Sequence, residues 1–317
     1  MNELRVAGAS AWPDPTPPLA HLLAVRERLL RSVTARNVRI AILHRAQWLL
    51  HWIEGPPGAV EGAWQRIQRI PELAGHRLLH RSLGAPILQE PLQIAAVFRR
   101  EWPEQVERRI AQLASCGNGP AWIWNELAGP GEVVPCRSIV VASAREHDGI
   151  DLLRRMAQRS GAEIVYRRFA GADLKQFDSG AAYADFAGAC GCTVRTHVVS
   201  RRCMRNELVL QGLRNVRDVV LLLGTSGSAR RGVVQGALQL VQARAAAARI
   251  HLLAGEPAAI APVEEWLREA GCPVPVTPRV LRPGTEEAEH LEGLLTKDTA
   301  AENACAPWAP APAAQVA

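Results

Sequence analysis

Apolar positions follow one pattern in the first hundred residues and another after residue 136. In the first part, short apolar runs alternate with amphipathic stretches, which predicts strands and helices in the order β-α-β-β-α-β. The predicted strands are 4–11, 38–43, 48–53 and 76–80, and the predicted helices are 19–34 and 59–70. The second and third strands are close enough in sequence to pair as a hairpin. This order is typical of a ferredoxin-like α+β domain.

After residue 136 the apolar runs are continuous. SIVVAS at 138–143 and DVVLLLG at 218–224 are each followed by a helical stretch. Strands that are apolar on both faces and alternate with helices indicate a parallel sheet covered on both sides. Residues 136–280 are therefore predicted to form a Rossmann-like or flavodoxin-like three-layer α/β domain.

The two patterns are separated by sequences that favour turns. CGNGP and AGPGE bracket a predicted linker over 116–135. The linker divides an N-terminal domain of residues 1–115 from the α/β domain of residues 136–280. Residues 281–317 are acidic and then rich in alanine and proline, so they are predicted to be largely disordered.

An amphipathic helix is predicted over 103–115, just before the linker. Val106, Ile110 and Leu113 lie on one side of it. An apolar stripe of this size should not stay exposed to water. It either covers the sheet of its own domain or meets a partner protein, and the linker that follows would leave the helix free to move, which favours a partner.

The composition narrows the classes of function. The apolar content of 48% is ordinary for a globular protein. No apolar run is long enough to span a bilayer, and the first residues lack the basic start and apolar core of a signal peptide. We therefore expect a cytoplasmic protein without a membrane partner. The seven cysteines are unevenly spaced and do not suggest a secreted disulfide scaffold.

The net charge of +6 comes almost entirely from arginine, since Lys175 and Lys297 are the only lysines. The arginines are scattered, and no basic run is interleaved with aromatic residues. No helix-turn-helix or RNA-binding signature accompanies them. This distribution favours solvated surface arginines over nucleic-acid binding.

The segment 49–95 carries the most specific pattern. A short apolar strand ends in His51-Trp52-Ile53-Glu54-Gly55, an amphipathic stretch follows, and a further strand contains HRLLH. This strand, Glu-Gly turn, helix and strand resemble the second half of a BLUF domain, the family of flavin-based blue-light sensors. The resemblance extends over roughly the first hundred residues and is weaker before residue 40.

The resemblance implies that the flavin chemistry has been lost. The family's flavin-contacting glutamine falls on His51, and its flavin-binding asparagine falls near Val33, with Asn37 close by. Its photoactive tyrosine falls nearest to Ala9, and no tyrosine precedes Tyr166. A histidine cannot rearrange its hydrogen bonds as an amide does. No cofactor is therefore expected, and the alternative is FAD bound through His51 and Asn37.

The predicted parallel sheet offers a second candidate site. Gly224, Ser226, Gly227 and Ser228 lie after a buried strand and open a helix, where backbone N–H groups can bind a phosphate. No G-x-x-x-x-G-K-[ST] or G-x-G-x-x-G motif is present. A tight turn between a strand and a helix needs the same small residues. A plain turn is favoured, and an anion site is the alternative.

Three thiols and an imidazole lie close together in sequence at Cys190, Cys192, His197 and Cys203. Thiolate and imidazole ligands suit zinc or an iron–sulfur cluster. The C-x-C spacing is tighter than that of a standard zinc finger, and a strand over TVRTHVV would separate His197 from Cys203. Buried structural cysteines are favoured, and a metal site is the alternative.

Taken together, these patterns favour a light-independent regulatory or adaptor protein that acts through contacts with another protein. Nothing in the sequence supplies a specific acid, base or nucleophile set, so an enzyme is not favoured. The alternatives are an FAD-binding blue-light or redox sensor, and a sensor of a corrinoid, haem or nucleotide bound by the α/β domain. The partner protein is not identified by the sequence, and self-association into a homo-oligomer stays open.

Overall fold

The strands of both predicted regions join in one sheet in the computed structural model of the chain. The structure describes residues 2–14, 18–99, 101–128, 135–144, 148–170, 179–188, 191–201, 203–206, 209–210, 213, 215–224, 226–244, 249–283 and 285–296. The strands are β1 (Glu3–Ala11), β2 (Arg39–Arg45), β3 (Trp48–Gly55), β4 (Ala74–Gly84), β5 (Leu92–Phe98), β6 (Arg137–Ser143), β7 (Ile164–Ala170), β8 (Ser179–Ala187), β9 (Thr193–Ser200), β10 (Val216–Leu222), β11 (Arg249–Ala254) and β12 (Val276–Val280). Their order in the sheet is β12-β11-β10-β6-β9-β8-β7-β5-β2-β3-β1-β4.

Helices lie on both faces of this sheet. They are α1 (Pro18–Ala24), α2 (Arg26–Thr34), α3 (Pro57–Ile67), α4 (Pro103–Ser115), α5 (Pro120–Ala128), α6 (Asp148–Ser160), α7 (Gly227–Arg244), α8 (Pro257–Glu269) and α9 (Thr285–Thr296). The helix predicted over 19–34 is interrupted at Val25, so it forms α1 and α2. None of the helices in the described part of the chain is long and apolar enough to cross a membrane.

The N-terminal part has the predicted β-α-β-β-α-β order and is an α+β unit. β1 lies between β3 and β4 and is antiparallel to both. β2 and β3 form the predicted antiparallel hairpin. The hairpin turn is made by Ala46 and Gln47, whose φ angles are 42° and 63°. Positive φ at both positions suits the twist of a two-residue hairpin. The turn contains neither glycine nor asparagine, the residues that usually indicate a two-residue hairpin turn in a sequence.

The C-terminal part contains a run of parallel strands. β9, β6, β10, β11 and β12 are mutually parallel, and β8 pairs antiparallel with β7 and β9. Apolar residues of α6 and α9 pack on one face, and those of α7 and α8 pack on the other. The predicted parallel sheet with helices on both sides is present. Its assignment to the Rossmann-like or flavodoxin-like class stays a prediction.

One strand pair joins the two parts. β5 pairs antiparallel with β7, from Ile94 opposite Ala170 to Phe98 opposite Tyr166. One buried apolar cluster also runs across the junction, from Trp52 in β3 to residues of β6 and β10. The sequence predicted two separate sheets because the pairing of strands so distant in sequence leaves no local signal. Whether residues 1–115 and 136–280 fold independently stays a prediction.

Two segments predicted to be irregular contain helices. The predicted linker 116–135 includes α5, in which Ile123 and Trp124 are fully buried. The predicted disordered tail 281–317 includes α9, in which Ala288 and Leu291 are buried against the C-terminal part. In both segments, apolar side chains that lie within turn-rich or acidic sequence are buried against the sheet, and this burial explains why helices form there. Residues 129–134 and 297–317 lie outside the described residues.

Helix α4 covers its own sheet. Val106, Ile110 and Leu113 are all buried in the apolar cluster that contains Trp52. Arg77 of β4 forms an ion pair with Glu107 of α4 on the same side. The preference for a partner protein on this stripe was therefore wrong, because the stripe is already occupied within the chain.

Candidate functional sites

His51 lies in the middle of β3 and points to the face covered by α3. Its ring is 6.4 Å from the indole of Trp64, measured between ring centroids. The side chain is 3% exposed, and neither ring nitrogen has a hydrogen-bond partner. Burial lowers the pKa of His51 to about 3, and the charge of His76 acts in the same direction. The imidazole is therefore neutral at physiological pH.

The residue opposite His51 in β1 is Gly8. A Cβ atom at Gly8 would overlap the Cη2 atom of Trp64, so the indole occupies the space that a side chain would need. The resemblance to BLUF domains placed Ala9 nearest to the photoactive position. Ala9 instead lies in the core on the opposite face of the sheet, because neighbouring residues of a strand point to opposite faces.

Asn37, the second predicted flavin-binding residue, is not near His51 on this face. It is exposed and adopts a φ of 51° after the end of α2. Asparagine tolerates this left-handed conformation better than most residues. Its carbonyl oxygen lies 2.8 Å from where a Cβ of Gly55 would be. The position therefore has a backbone role, and the structure does not bring Asn37 and His51 together.

Glu54, in the Glu-Gly turn, anchors the loop before β5. Its Oε1 accepts a hydrogen bond from the Trp52 indole at 2.9 Å. Its Oε2 accepts the backbone N–H groups of Ile87 and Leu88, each at 2.8 Å. Glu54 is fully buried, so these three donors satisfy a carboxylate that would otherwise be costly to bury. In this chain the turn that resembles the family pattern is structural.

A crevice of about 660 Å³ lies where the parallel strands end. Leu223 and Gly224 follow β10, Gly255 follows β11, and Asp148 opens α6 after β6. The chain leaves β6 and β10, which are neighbours, towards opposite faces of the sheet. Ligands of open α/β sheets bind in the crevice between two strands whose connections diverge in this way. The charged side chains along it are Asp148, Asp151, Arg155, Arg230, Glu256 and Glu287.

The predicted anion-binding turn borders this crevice. Gly224 lines it, while Ser226, Gly227 and Ser228 are exposed at the start of α7. The Ser226 and Ser228 hydroxyls lie 3.3 Å apart, and the Ser226 carbonyl accepts the N–H of Arg230 at 3.1 Å. The described lining carries four carboxylates against two guanidinium groups, which disfavours a phosphate. An anion site stays a prediction.

The described members of the predicted metal-ligating set, Cys192, His197 and Cys203, do not form a ligand group. Cys192 precedes β9, His197 lies within it, and Cys203 follows it, so the two thiols lie at opposite ends of an eight-residue strand. No group of three or more histidine, cysteine or acidic side chains arranged for a metal is found among the described residues. Cys190 lies outside them. The Sγ atom of Cys192 lies instead 2.6 Å from that of Cys136.

A group of buried arginines lies near the junction of the two parts. Arg167 of β7 is 4% exposed, and its guanidinium lies 5.3 Å from the ring centroid of Tyr183. Its Nη2 is 3.4 Å from Nδ1 of His197, and its Nε has no partner. No carboxylate is recorded against it among the residues that the structure describes. Burial lowers the pKa of Arg167. Burial also lowers the pKa of His197, to well below its usual value. By contrast, Arg195 binds Asp185 through two hydrogen bonds of 2.6 and 2.8 Å.

Replacing Arg167 by methionine is expected to stabilise the fold by about 1–3 kcal/mol, since a buried charge without a counter-charge costs more than an apolar side chain of similar length. The matched variant Arg195→Met removes a similarly buried guanidinium but leaves Asp185 without its partner, so it is expected to lose about 1–3 kcal/mol. Urea unfolding of both variants measures these changes. Destabilisation by both substitutions to the same extent would contradict the prediction.

Sequence reasoning missed Arg167 and Cys136. Arg167 is one of many arginines, and a strand predicted from apolar periodicity does not tell which of its polar residues is buried. Cys136 lies far from Cys192 in sequence and becomes its neighbour only because β6 pairs with β9. The available signal was a cysteine just before the predicted strand 138–143 and another just before the segment TVRTHVV.

Comparisons with known proteins return weak structural similarities. No protein-family model matches the chain, and no curated protein matches it. Similar solved structures include the photo-activated state of BlsA, with 12% identity over 38% of this chain and 99% of that one at a TM-score of 0.25. The structure described as "BlrP1 BLUF" is 17% identical, and the match covers 43% of this chain and 96% of that one at a TM-score of 0.29. A bacterial light-regulated adenylyl cyclase is 9% identical, and the match covers 76% of this chain and 66% of that one at a TM-score of 0.30. Similarities this low carry no argument about activity.

Proposed function

We propose that the protein is a light-independent regulatory or adaptor protein, built on a BLUF-like N-terminal unit, that acts through contact with another protein. The observation that carries this proposal is the contact between Trp64 and Gly8 beside His51. On the sheet face where the resemblance places the flavin, an indole fills the space opposite His51. The described residues therefore do not fit a flavin ring in that place.

The chemistry of the same face supports the loss of photochemistry. A BLUF-like photoreaction needs a phenol close to the flavin, and Tyr166 and Tyr183 are the only tyrosines of the chain. Tyr166 lies in β7 and Tyr183 in β8. Strands β5 and β2 separate them from β3, the strand that carries His51. Neutral His51 offers one donor and one acceptor on a rigid ring, so it cannot replace a switching amide.

Protein contact is supported by the edge of the sheet. β4 is an end strand in the described sheet, and an end strand presents backbone donors and acceptors that another chain can pair with. Leu78 and Leu83 of this strand are 50% and 62% exposed. Large exposed apolar side chains next to a free edge favour a partner there.

The test is the visible absorption spectrum of the purified full-length protein, before and after incubation with FAD and under blue light. We expect no flavin band from the purified protein and no shift of the added flavin's band on illumination. A small reversible red shift would overturn the proposal. A BLUF protein loaded with FAD serves as the positive control for illumination.

A ligand sensor built on the C-terminal part is the second candidate function. The observation that favours it is the crevice of about 660 Å³ at the ends of β6, β10 and β11. The excess of carboxylates among its described lining residues favours a cationic or zwitterionic ligand. Melting curves with a panel of polyamines and amino acids test this candidate, and Asp151→Asn is a variant that should weaken any stabilisation found.

A further inference from the structure

Cys136 and Cys192 are held side by side by the pairing of two strands. Cys136 directly precedes β6 and Cys192 directly precedes β9, and these strands are parallel neighbours in which Arg137 is opposite Val194. The N–H of Cys136 donates to the carbonyl of Thr193 at 2.9 Å. The thiols therefore lie at the same end of the sheet on backbone that hydrogen bonds fix.

Their separation fits a covalent bond better than a shared metal. The two Sγ atoms are 2.6 Å apart, which is closer than two unbonded sulfur atoms approach and within a small movement of the roughly 2.05 Å of a disulfide. Two thiolates on one tetrahedral zinc, each about 2.3 Å from the metal, stand about 3.8 Å apart. Both cysteines are partly exposed, so a small oxidant can reach them.

We propose that Cys136 and Cys192 form a reversible disulfide and make the chain sensitive to peroxides. One thiolate attacks hydrogen peroxide, the O–O bond breaks, and a sulfenic acid and hydroxide form. The second thiolate attacks that sulfur, the S–O bond breaks, and a second hydroxide leaves. The two sulfurs lose two electrons to the peroxide, and the two thiol protons convert the hydroxides to water. A dithiol reductant returns two electrons and two protons.

The bond would close a loop that contains β6, α6, β7 and β8, and β7 is the strand that pairs with β5. Oxidation would thus tie β9 to β6 and restrain the strands on which the two parts of the sheet meet. In a reducing compartment, the disulfides that do form are mostly transient and regulatory. This inference is independent of the proposed regulatory function, and either can fail without the other.

The test treats the reduced full-length protein with a small excess of hydrogen peroxide, blocks free thiols by alkylation and analyses peptides without reduction. We expect one cross-linked peptide pair that joins Cys136 to Cys192 and disappears after dithiothreitol. Cys136→Ser and Cys192→Ser should each abolish it, while the control Cys272→Ser should retain it. A link from either cysteine to Cys190, a link between chains, or sulfinic acid without a cross-link would overturn the proposal.

A second measurement keeps the result separate from misfolding of a variant. Oxidation of the wild-type protein should raise its thermal unfolding midpoint, and dithiothreitol should return it to the starting value. Cys192→Ser should have the midpoint of the reduced wild-type protein under both conditions. An oxidised wild-type protein with an unchanged midpoint and unchanged count of free thiols would reject the disulfide.

Discussion

Replacing Ile110 by aspartate is expected to unfold the chain or reduce its free energy of unfolding by more than about 4 kcal/mol. Ile110 is 1% exposed and lies in the same buried apolar cluster as Val106 and Leu113 of its own helix and Trp52 of the sheet. The substitution removes a buried apolar side chain and places a carboxylate in the core. The total stability of a protein is about 5–15 kcal/mol, so this loss is a large part of it. Circular dichroism during urea unfolding measures the change.

The matched control is Ile70→Asp. Ile70 is 38% exposed and lies just after α3, so the same chemical change meets water there. A loss within about 0.5 kcal/mol is expected at such a surface position. If Ile110→Asp kept the urea midpoint of the wild-type protein, the packing of α4 on its own sheet would be wrong.

Lowering the pH from 7 to 5 is expected to cost the fold about 2 kcal/mol through His51 alone. The pKa of His51 is about 3 in the folded chain and 6.5 for an unperturbed histidine. Between these values the unfolded chain takes up a proton that the folded chain excludes. Stability is therefore fully present above pH 6.5 and falls as the pH drops towards 3. His197 acts in the same direction.

The effect is measured as a difference between the wild-type protein and His51→Gln. Other groups also respond to acid. Burial raises the pKa of Glu101, but its hydrogen bonds with Arg45 and the positive charges of Arg45 and Arg99 together lower it, so protonation of Glu101 weakens the fold too. Glutamine is uncharged throughout and leaves this background unchanged. Between pH 7 and pH 5, the urea midpoint should fall further in the wild-type protein than in His51→Gln. Equal falls in the two proteins would show that His51 is accessible to protons.

The elements of this fold follow from the sequence more readily than its assembly does. Apolar periodicity is enough to place α4, β6 and α6 within a residue or two of where they lie. It cannot place the turn at Ala46 and Gln47, because neither residue type favours positive φ. It also cannot show that β5 pairs with β7, since that pairing depends on the whole sheet.

The surroundings of the candidate site residues depend on single-residue register, which apolar periodicity alone does not determine. An offset of one residue in β1 exchanges Gly8 for Ala9 and moves a side chain to the other face of the sheet. His51 could be identified because it lies next to a recognisable Glu-Gly turn. Whether its ring meets a ligand or an indole depends on Trp64, which lies on a different element and has no signature of its own.

The pairing of β5 with β7 has a consequence for dividing the gene. A fragment that ends before β6 would present β5 as a bare edge, and the complementary fragment would present β7 in the same way. Each would also carry only its share of the apolar cluster that both parts build. Separately produced halves should therefore be poorly soluble alone and recover solubility when produced together. The junction is a natural place for a split reporter, in which reassembly of two fragments restores one sheet.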